Sequence, residues 1–414
     1  MSSTTPGASA PTNGAAPRTP SILSRILIPL ALLGVVFGLE FGFESIIADA
    51  AWRQLALFAM VNVVVALSLN VINGMAGQFS IGHAGFVGIG AYTAAIVAGH
   101  VHKALGATDV LFSNSFVVMP LALISAGGMA ALFGFVVGLP SLRLRGDYLA
   151  IVTLGFAEIF RLVIATAQTG GNVDGSFGRF LAYLGGQNGY AGPDKTGVPQ
   201  YAGPFWIFGV VLVATFLAWR LKFSGWGRAL RALREDEIAA ASVGVDPTRY
   251  KVTSFVIAAT GAGIAGGLLA SMRDGNPTVQ PDQFTFAYSF DAITMVILGG
   301  SGSVSGAIVG GVFVTFTVKM IEQLQGLESV QALRTAYPSL DLNALRMVIY
   351  AGVLIGLMIL RPEGLFGERE LFKRKSRVRL SNTPPEPIPV RTEAEAEAEH
   401  ADAEADAPAG KAEP

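Results

Sequence analysis

The sequence predicts an all-α polytopic membrane protein of about ten transmembrane or partly re-entrant helices. Three observations carry that expectation. Hydrophobic residues make up 51% of the 414-residue chain and charged residues only 14%, whereas a soluble domain carries about 25% charge. Apolar runs of roughly 20 residues, the length that crosses a bilayer as a helix, recur along the chain. Fifty glycines fit the close helix contacts and broken helices of a membrane bundle. The chain has no cysteine, which excludes disulfides and thiolate chemistry.

Taken in order, residues 1–22 are mostly Ser, Thr, Pro, Ala and Gly, too poor in apolar side chains to form a core, and read as a disordered cytoplasmic N-terminus. A transmembrane domain over 23–367 follows. Arg25 precedes the apolar run Ile26–Leu39, which lacks a convincing cleavage site and reads as an uncleaved anchor. The second span runs from about Leu55 to Ile72 with Asn62 and Asn70 embedded in it. Asn73 and Gly74 then open a stretch with glycine at 74, 77, 82, 85, 88 and 90, where each interior glycine costs a helix up to about 1 kcal/mol relative to alanine. Two readings fit. One is a loop followed by a glycine-rich packing face; the other is a broken helix lining a solute path, since irregular backbone at membrane depth persists only where protein or a wet cavity covers it.

Further spans fit 79–99, 115–139, 148–167, 203–220 and 252–271, the last with glycines for close contact. Residues 289–299 and 304–320 are two apolar pieces, one short and one fuller, turning at Gly299–Ser303. A final span at about 344–360 ends at Arg361-Pro362. Beyond it, 368–414 reads as a disordered cytoplasmic tail, first basic and then acidic. Its basic cluster from Lys373 to Arg379 is placed to meet anionic lipid headgroups.

Lysine and arginine test this topology. Eighteen fall in the N-terminal segment, the Arg143–Arg145 loop, the 220–251 segment and residues 361–379, against six in the opposite set of loops. Both termini and the 228–251 segment are therefore expected in the cytoplasm.

That segment is the longest charged stretch between two apolar ones. Arg228, Arg231 and Arg234 precede Glu235, Asp236 and Glu237, then the small run Ala239–Ala241 and Gly244. Arg231 and Glu235 are four apart and can pair on one helix face. Gly244 is placed to end a short helix, and Asp246-Pro247 to cap the next. A short polar helix between spans is expected to dock a cytoplasmic partner.

The chain offers little to an enzyme. Its four histidines, His83, His100, His102 and His400, stand in no metal-ligand spacing. Glu158 is a carboxylate inside a span and so a functional candidate, but Arg161 lies one turn away and can simply pair with it. Asp147 and Asp291 sit near span ends. No P-loop is present, so any ATP that drives transport is bound on another polypeptide.

The chain resembles the LivM-type permease subunits of bacterial ABC importers for branched-chain amino acids. The resemblance spans about 50–367. It rests on NVINGMAGQFSIGHAGFVGIGAYTAAI at 70–96, LRLRGDYLAIVTLGFAEIFRL at 142–162, TGGNVDG at 169–175 and GRALRALREDEIAAASVGVDPTRYKVTSF at 227–255. TGAGIAGG at 260–267, MVILGGSGSVSGAIVG at 295–310 and RPEGLFG at 361–367 follow in the same order. It implies the ABC importer permease type of fold and a bacterial inner-membrane location. It also implies a LivH-type permease partner, two cytoplasmic ATPases that carry ATP and Mg, and a periplasmic or lipid-tethered solute-binding protein. No cofactor in this chain and no nucleic acid are implied.

The resemblance makes 235–246 the ATPase-coupling element, with Arg234, Glu235, Asp236, Glu237, Ala239, Ala240 and Gly244 as its residues. Ile238 stands where the usual EAA-x-x-x-G pattern has glutamate, with Ala239, Ala240 and Gly244 in register. The candidate path or helix-break residues are Asn73, Gly74, Gly77, Gln78, Ser80, His83, Gly85, Thr153, Glu158, Gly299, Gly300, Gly302 and Gly306. Related permeases for urea or short-chain amides remain a substrate alternative. From other classes, an ion-coupled secondary transporter and a membrane scaffold stay open; the docking segment and the scarcity of buried carboxylates weigh against the first.

Overall fold

The computed structural model describes residues 22–106, 111–141, 148–167 and 175–325, with 348, 351–352, 355–356, 359–361, 364–367 and 370. The Arg143–Arg145 loop, most of TGGNVDG, most of the final span and the tail beyond 370 lie outside these residues.

Twelve α-helices are described: α1 (Ile22–Ile46), α2 (Ala50–Leu69), α3 (His83–Leu105), α4 (Leu111–Ser141), α5 (Tyr148–Ala165), α6 (Ser176–Tyr183), α7 (Pro204–Phe223), α8 (Gly225–Glu235), α9 (Glu237–Ser242), α10 (Pro247–Ala270), α11 (Phe286–Gly299) and α12 (Val304–Gln325). Among the described residues six helices are long and apolar enough to cross a membrane: α2 with its continuation to Met75, α3, α4, α5, α7 and α10. α11 and α12 contribute shorter apolar pieces.

α2, α3 and α10 form the centre. Val61, Val63, Val65, Ala66 and Leu69 of α2 are buried, as are Ala258, Ala262, Ala265 and Leu268 of α10. α10 packs on α3 and α4 closely enough that a Cβ at Gly90 would collide with the Gly263 backbone, and one at Gly266 with the Val87 carbonyl. Such crossings need small residues because lipid gives helices no hydrophobic reason to associate. The outer helices show the reverse. Ile124 and Val136 of α4, Ile151 and Ile159 of α5, and Phe216 and Leu217 of α7 are exposed, an apolar surface suited to lipid rather than water.

The bundle has two distinct ends. At one, Arg273 bonds Glu40 at 2.7 Å, Arg53 meets Asp274 at 3.5 Å and Lys103 meets Asp194 at 2.5 Å. Isolated backbone bridges join Tyr190 to Val279 and Ala202 to Met272 there. At the other, Arg234 reaches Gly74 and Lys222 reaches Glu370. The described parts of the 40–54, 100–114, 168–202 and 272–288 loops therefore share one end, as the charge distribution predicts, and the 220–251 segment takes the other.

Two boundaries differ from expectation. The helix that carries the first apolar run, expected over Ile26–Leu39, extends from Ile22 to Ile46. The glycine-rich stretch after Gly82 is a continuous helix, α3, within the expected 79–99 span and in keeping with the reading of a loop followed by a packing face, its glycines closely approached by α5 and α10. Glu370 is buried and belongs to the packed body, three residues past the expected boundary at Gly367.

Candidate functional site

Two interruptions of the bundle meet at the Arg234 end. The first follows α2. Asn70–Met75 is a π-helix, after which the chain runs irregularly to His83. The second is the turn between α11 and α12. Asn70 joins them: its Oδ1 accepts from the Gly302 amide at 2.8 Å, and its Nδ2 donates to the Ser303 carbonyl at 3.1 Å. A side-chain amide thus plays the part of backbone, satisfying groups that the helix break would otherwise leave unpaired. Gly74 lies against this contact, and a Cβ there would collide with both the Asn70 carboxamide and the Gly302 amide.

Gly299, Gly300, Gly302 and Gly306 shape the second interruption. Gly299 and Gly306 pack backbone on backbone, and Gly300 and Gly302 hold φ of +116° and +84°, a region that side chains with a Cβ disfavour. The last carbonyls of α11 are taken up by the segment after the final span: Leu365 N–H donates to Leu298 O at 2.8 Å and Phe366 N–H to Gly299 O at 3.2 Å.

Glu370 closes the arrangement. Its carboxylate accepts from the amides of Val304 and Ser305 at 2.7 and 3.0 Å, from Ser305 Oγ at 2.5 Å and from Lys222 Nζ at 2.5 Å. An anion at a helix N-terminus meets unpaired N–H groups and the positive end of the dipole. Burial pushes the Glu370 carboxyl up, but the bonds from Lys222, Ser305 and Val304 together hold it below the ordinary carboxylate value.

The charged segment enters this assembly directly. Arg234 Nη1 donates to Gly74 O at 2.8 Å, and its stem passes so near Gly77 that a Cβ there would lie 2.6 Å from Arg234 Cγ. Two helices form the segment rather than one. α8 turns Gly227, Leu230 and Leu233 inward and anchors Trp226 on Tyr250 of α10, rings 5.7 Å apart. Asp236 then breaks the helix and caps α9, accepting from Ile238 N and Ala239 N at 2.8 and 3.0 Å.

Glu237 pairs with Lys251 at 2.5 Å, and Ala240 is buried. Glu235, Ala239 and Gly244 are exposed. The expected Arg231–Glu235 pair is absent among the described residues; Arg231 Nε turns back to Gly227 O at 3.4 Å. Gly244 has φ +88°, and Asp246 caps α10 ahead of Pro247, both as expected. Ile238 and Val243 are 84% and 78% exposed, an apolar pair on a segment whose charges are otherwise engaged or solvated.

The remaining candidates form no single path. Asn73 and Ser80 bond each other across the loop, and the buried side chain of Gln78 has no hydrogen-bond partner among the described residues. Thr153 of α5 accepts from Ile81 N, His83 Nε2 meets Ser68 Oγ at 2.8 Å, and a Cβ at Gly85 would lie 2.8 Å from Ala157 Cα. These contacts seat α3 against α2 and α5. Glu158 is held by Arg161 at 2.7 Å, which also meets Asp282, so the pairing reading of Glu158 is the one the geometry favours.

A larger cavity of about 470 Å³ lies elsewhere, between α2, α11 and α12, and none of these candidates lines it. Asn62 and Asp291, which stand out in the sequence as polar residues within or beside spans, do. Glu370 and Lys222 carried no sequence signal: neither belongs to a motif, and they lie 148 positions apart.

The family described as "Branched-chain amino acid transport system / permease component" matches residues 52–360. The chain is 36% identical over 334 residues to the high-affinity branched-chain amino acid transport system permease protein LivM of Salmonella typhimurium, covering 75% of this chain and 69% of that protein. Identity to LivM of Escherichia coli K12 is 35% over 328 residues, with the same coverage. LivH of Escherichia coli K12 is 31% identical over 170 residues, 40% of this chain and 48% of that protein. No solved structure matches the chain.

Proposed function

The chain belongs to the family of permease components of branched-chain amino acid transport systems, and from that premise we propose a mechanism for it. It is a membrane-spanning subunit of a bacterial inner-membrane ABC importer that passes branched-chain amino acids by alternating access. It works beside a LivH-type permease, two cytoplasmic ATPases that hold ATP and Mg, and a solute-binding protein outside. The local likeness to LivH relatives supports pairing with a related subunit. Ten crossings, with both termini and the α8–α9 segment in the cytoplasm, account for the two ends of the bundle and for the distribution of basic residues.

α8 and α9 form the ATPase-coupling element. Ile238, exposed just after the capped start of α9 where the usual importer pattern has a glutamate, and Val243, exposed at the far end of that helix, supply apolar contact. Movement of α8 is passed inward by Arg234, whose bond to Gly74 joins the coupling element to both helix breaks through Asn70 and Gly302. That bond is the observation carrying the reading.

The test is Arg234→Ala in reconstituted complexes at matched abundance. A hydrogen bond from a charged group contributes about 1.5–3 kcal/mol, so leucine uptake is expected to fall by about tenfold or more while the ATPases remain bound. Wild-type uptake would remove Arg234 from coupling. Uptake of urea in place of leucine would overturn the substrate assignment.

A further inference from the structure

α6 lies outside the spans, at the Glu40–Arg273 end of the bundle, and none of its 8 residues is fully buried. Its position is nonetheless fixed. Tyr183 Oη bonds Tyr190 Oη at 2.8 Å, with the two rings 5.3 Å apart, and a backbone bridge joins Tyr190 to Val279. Just beyond the helix, Gln187 Nε2 donates to Asp282 Oδ2 at 3.4 Å, and Asp282 meets Arg161 near the end of α5. Leu162 and Val163 of that turn are exposed and continue the apolar surface that α5 offers to lipid. α6 is thus held at the level where α5 leaves the bilayer.

The helix has two unlike faces. At about 100° per residue, Phe177, Phe180, Leu181 and the following Leu184 fall within about 100° of arc, with Arg179 and Ala182 opposite. Two environments share the apolar arc. Leu184 is buried in the core and Leu181 packs against it, whereas Phe177 and Phe180 are 69% and 51% exposed. Because the four share one face, the phenylalanines point the way the leucines do, but past the rim of the bundle. What lies beside the rim at this level is lipid. A protein arriving from water would meet the Arg179 side, which is exposed, and not the two phenyl rings. Aromatic side chains on one face and a cation on the other suit a helix lying in the plane of a membrane interface. We propose that α6 is an interfacial anchor, with Phe177 and Phe180 in the acyl boundary of the bilayer and Arg179 toward headgroup phosphates and water. Locked to Tyr190 on one side and to lipid on the other, it ties the following loop to the membrane surface. The inference needs the chain to span a membrane, but neither the solute nor the leaflet that α6 meets enters it.

The chain has no cysteine, so Phe177→Cys, Phe180→Cys and, on the opposite face, Arg179→Cys each give this subunit one thiol for a bimane fluorophore. Each variant is assembled with the partner subunits in nanodiscs of phosphatidylethanolamine and phosphatidylglycerol, and the unsubstituted complex supplies the background. Lipids with a nitroxide near the top of the acyl chain are expected to quench the labels at 177 and 180 about threefold more than the label at 179. Aqueous iodide should rank them in reverse. Equal quenching at all three positions would overturn the proposal, because every face of α6 would then share one environment. So would labels at 177 and 180 that neither quencher reaches, the result of a partner subunit covering them. Iodide access at 177 and 180 that is lost only when the solute-binding protein is added would overturn it as well, and would assign the face to that protein.

Discussion

Glu370 receives four hydrogen bonds while almost wholly buried, and Lys222 beside it is buried as well. Glu370→Gln keeps the shape but leaves the ammonium without a counter-charge, a loss of about 3–5 kcal/mol when one member of a buried pair is removed. Unfolding in detergent measures it. The native carboxyl is held below its ordinary value, so its contribution is complete above the ordinary carboxylate range and is lost only as pH falls through the lowered value. The gap between wild type and variant is therefore expected to stay constant from pH 8 to 5 and to narrow only in stronger acid. Gly74→Ala is a second residue-scale case. Its methyl would strike Asn70 and Gly302, and such overpacking costs about 1–3 kcal/mol. Gly128→Ala, with open space around it, is expected to be neutral or slightly stabilising. Equal stability and uptake in the two variants would show that the Asn70–Gly302 contact is loose.

Among the elements, α9 owes its form to two residues at its ends. Asp236 supplies the cap, and Gly244 takes a φ of +88° while its amide donates to Ala241 O at 3.0 Å. Proline at 244 fixes φ near −65° and removes that donor, so Gly244→Pro is expected to depress solute-stimulated ATP hydrolysis and uptake together in the reconstituted complex. Ligand affinity of the isolated binding protein should not change. Ile238→Glu tests the exposed apolar contact separately; retained ATPase docking would move the contact elsewhere on the segment. The Asp246-Pro247 start of α10 and the short-then-full pair α11–α12 were legible because local chemistry sets them. The break at Asp236 was not, since the charges on either side read equally well as one continuous helix. The α3 span itself was expected over 79–99, but what offsets the cost of its glycines was not legible. Their cost is met by α5 and α10, whose positions no local pattern records.

Across the whole molecule the two ends of the bundle follow the charge distribution. Ser176→Cys on α6 and Ser242→Cys on α9 lie at these opposite ends, so an impermeant reagent applied to intact cells should label the first and spare the second. Equal labelling would refute the ten-crossing arrangement. The family, the charged segment between spans and the breaks were legible because their residues are contiguous. The cavity was not, since Asn62, Tyr288 and Thr315 meet only after α2, α11 and α12 have packed. That distance bears on how the chain is made. Asn62 finds Thr315 and Asn70 finds Ser303 across separations of 253 and 233 residues. At about 5–20 residues per second, translation delays those partners by roughly ten to fifty seconds. During that interval α2 sits in the bilayer with two amides awaiting partners, each costly in hydrocarbon. A chain that stops before α12 is made keeps both amides without those partners, so an unfinished subunit is left destabilised by its own two asparagines.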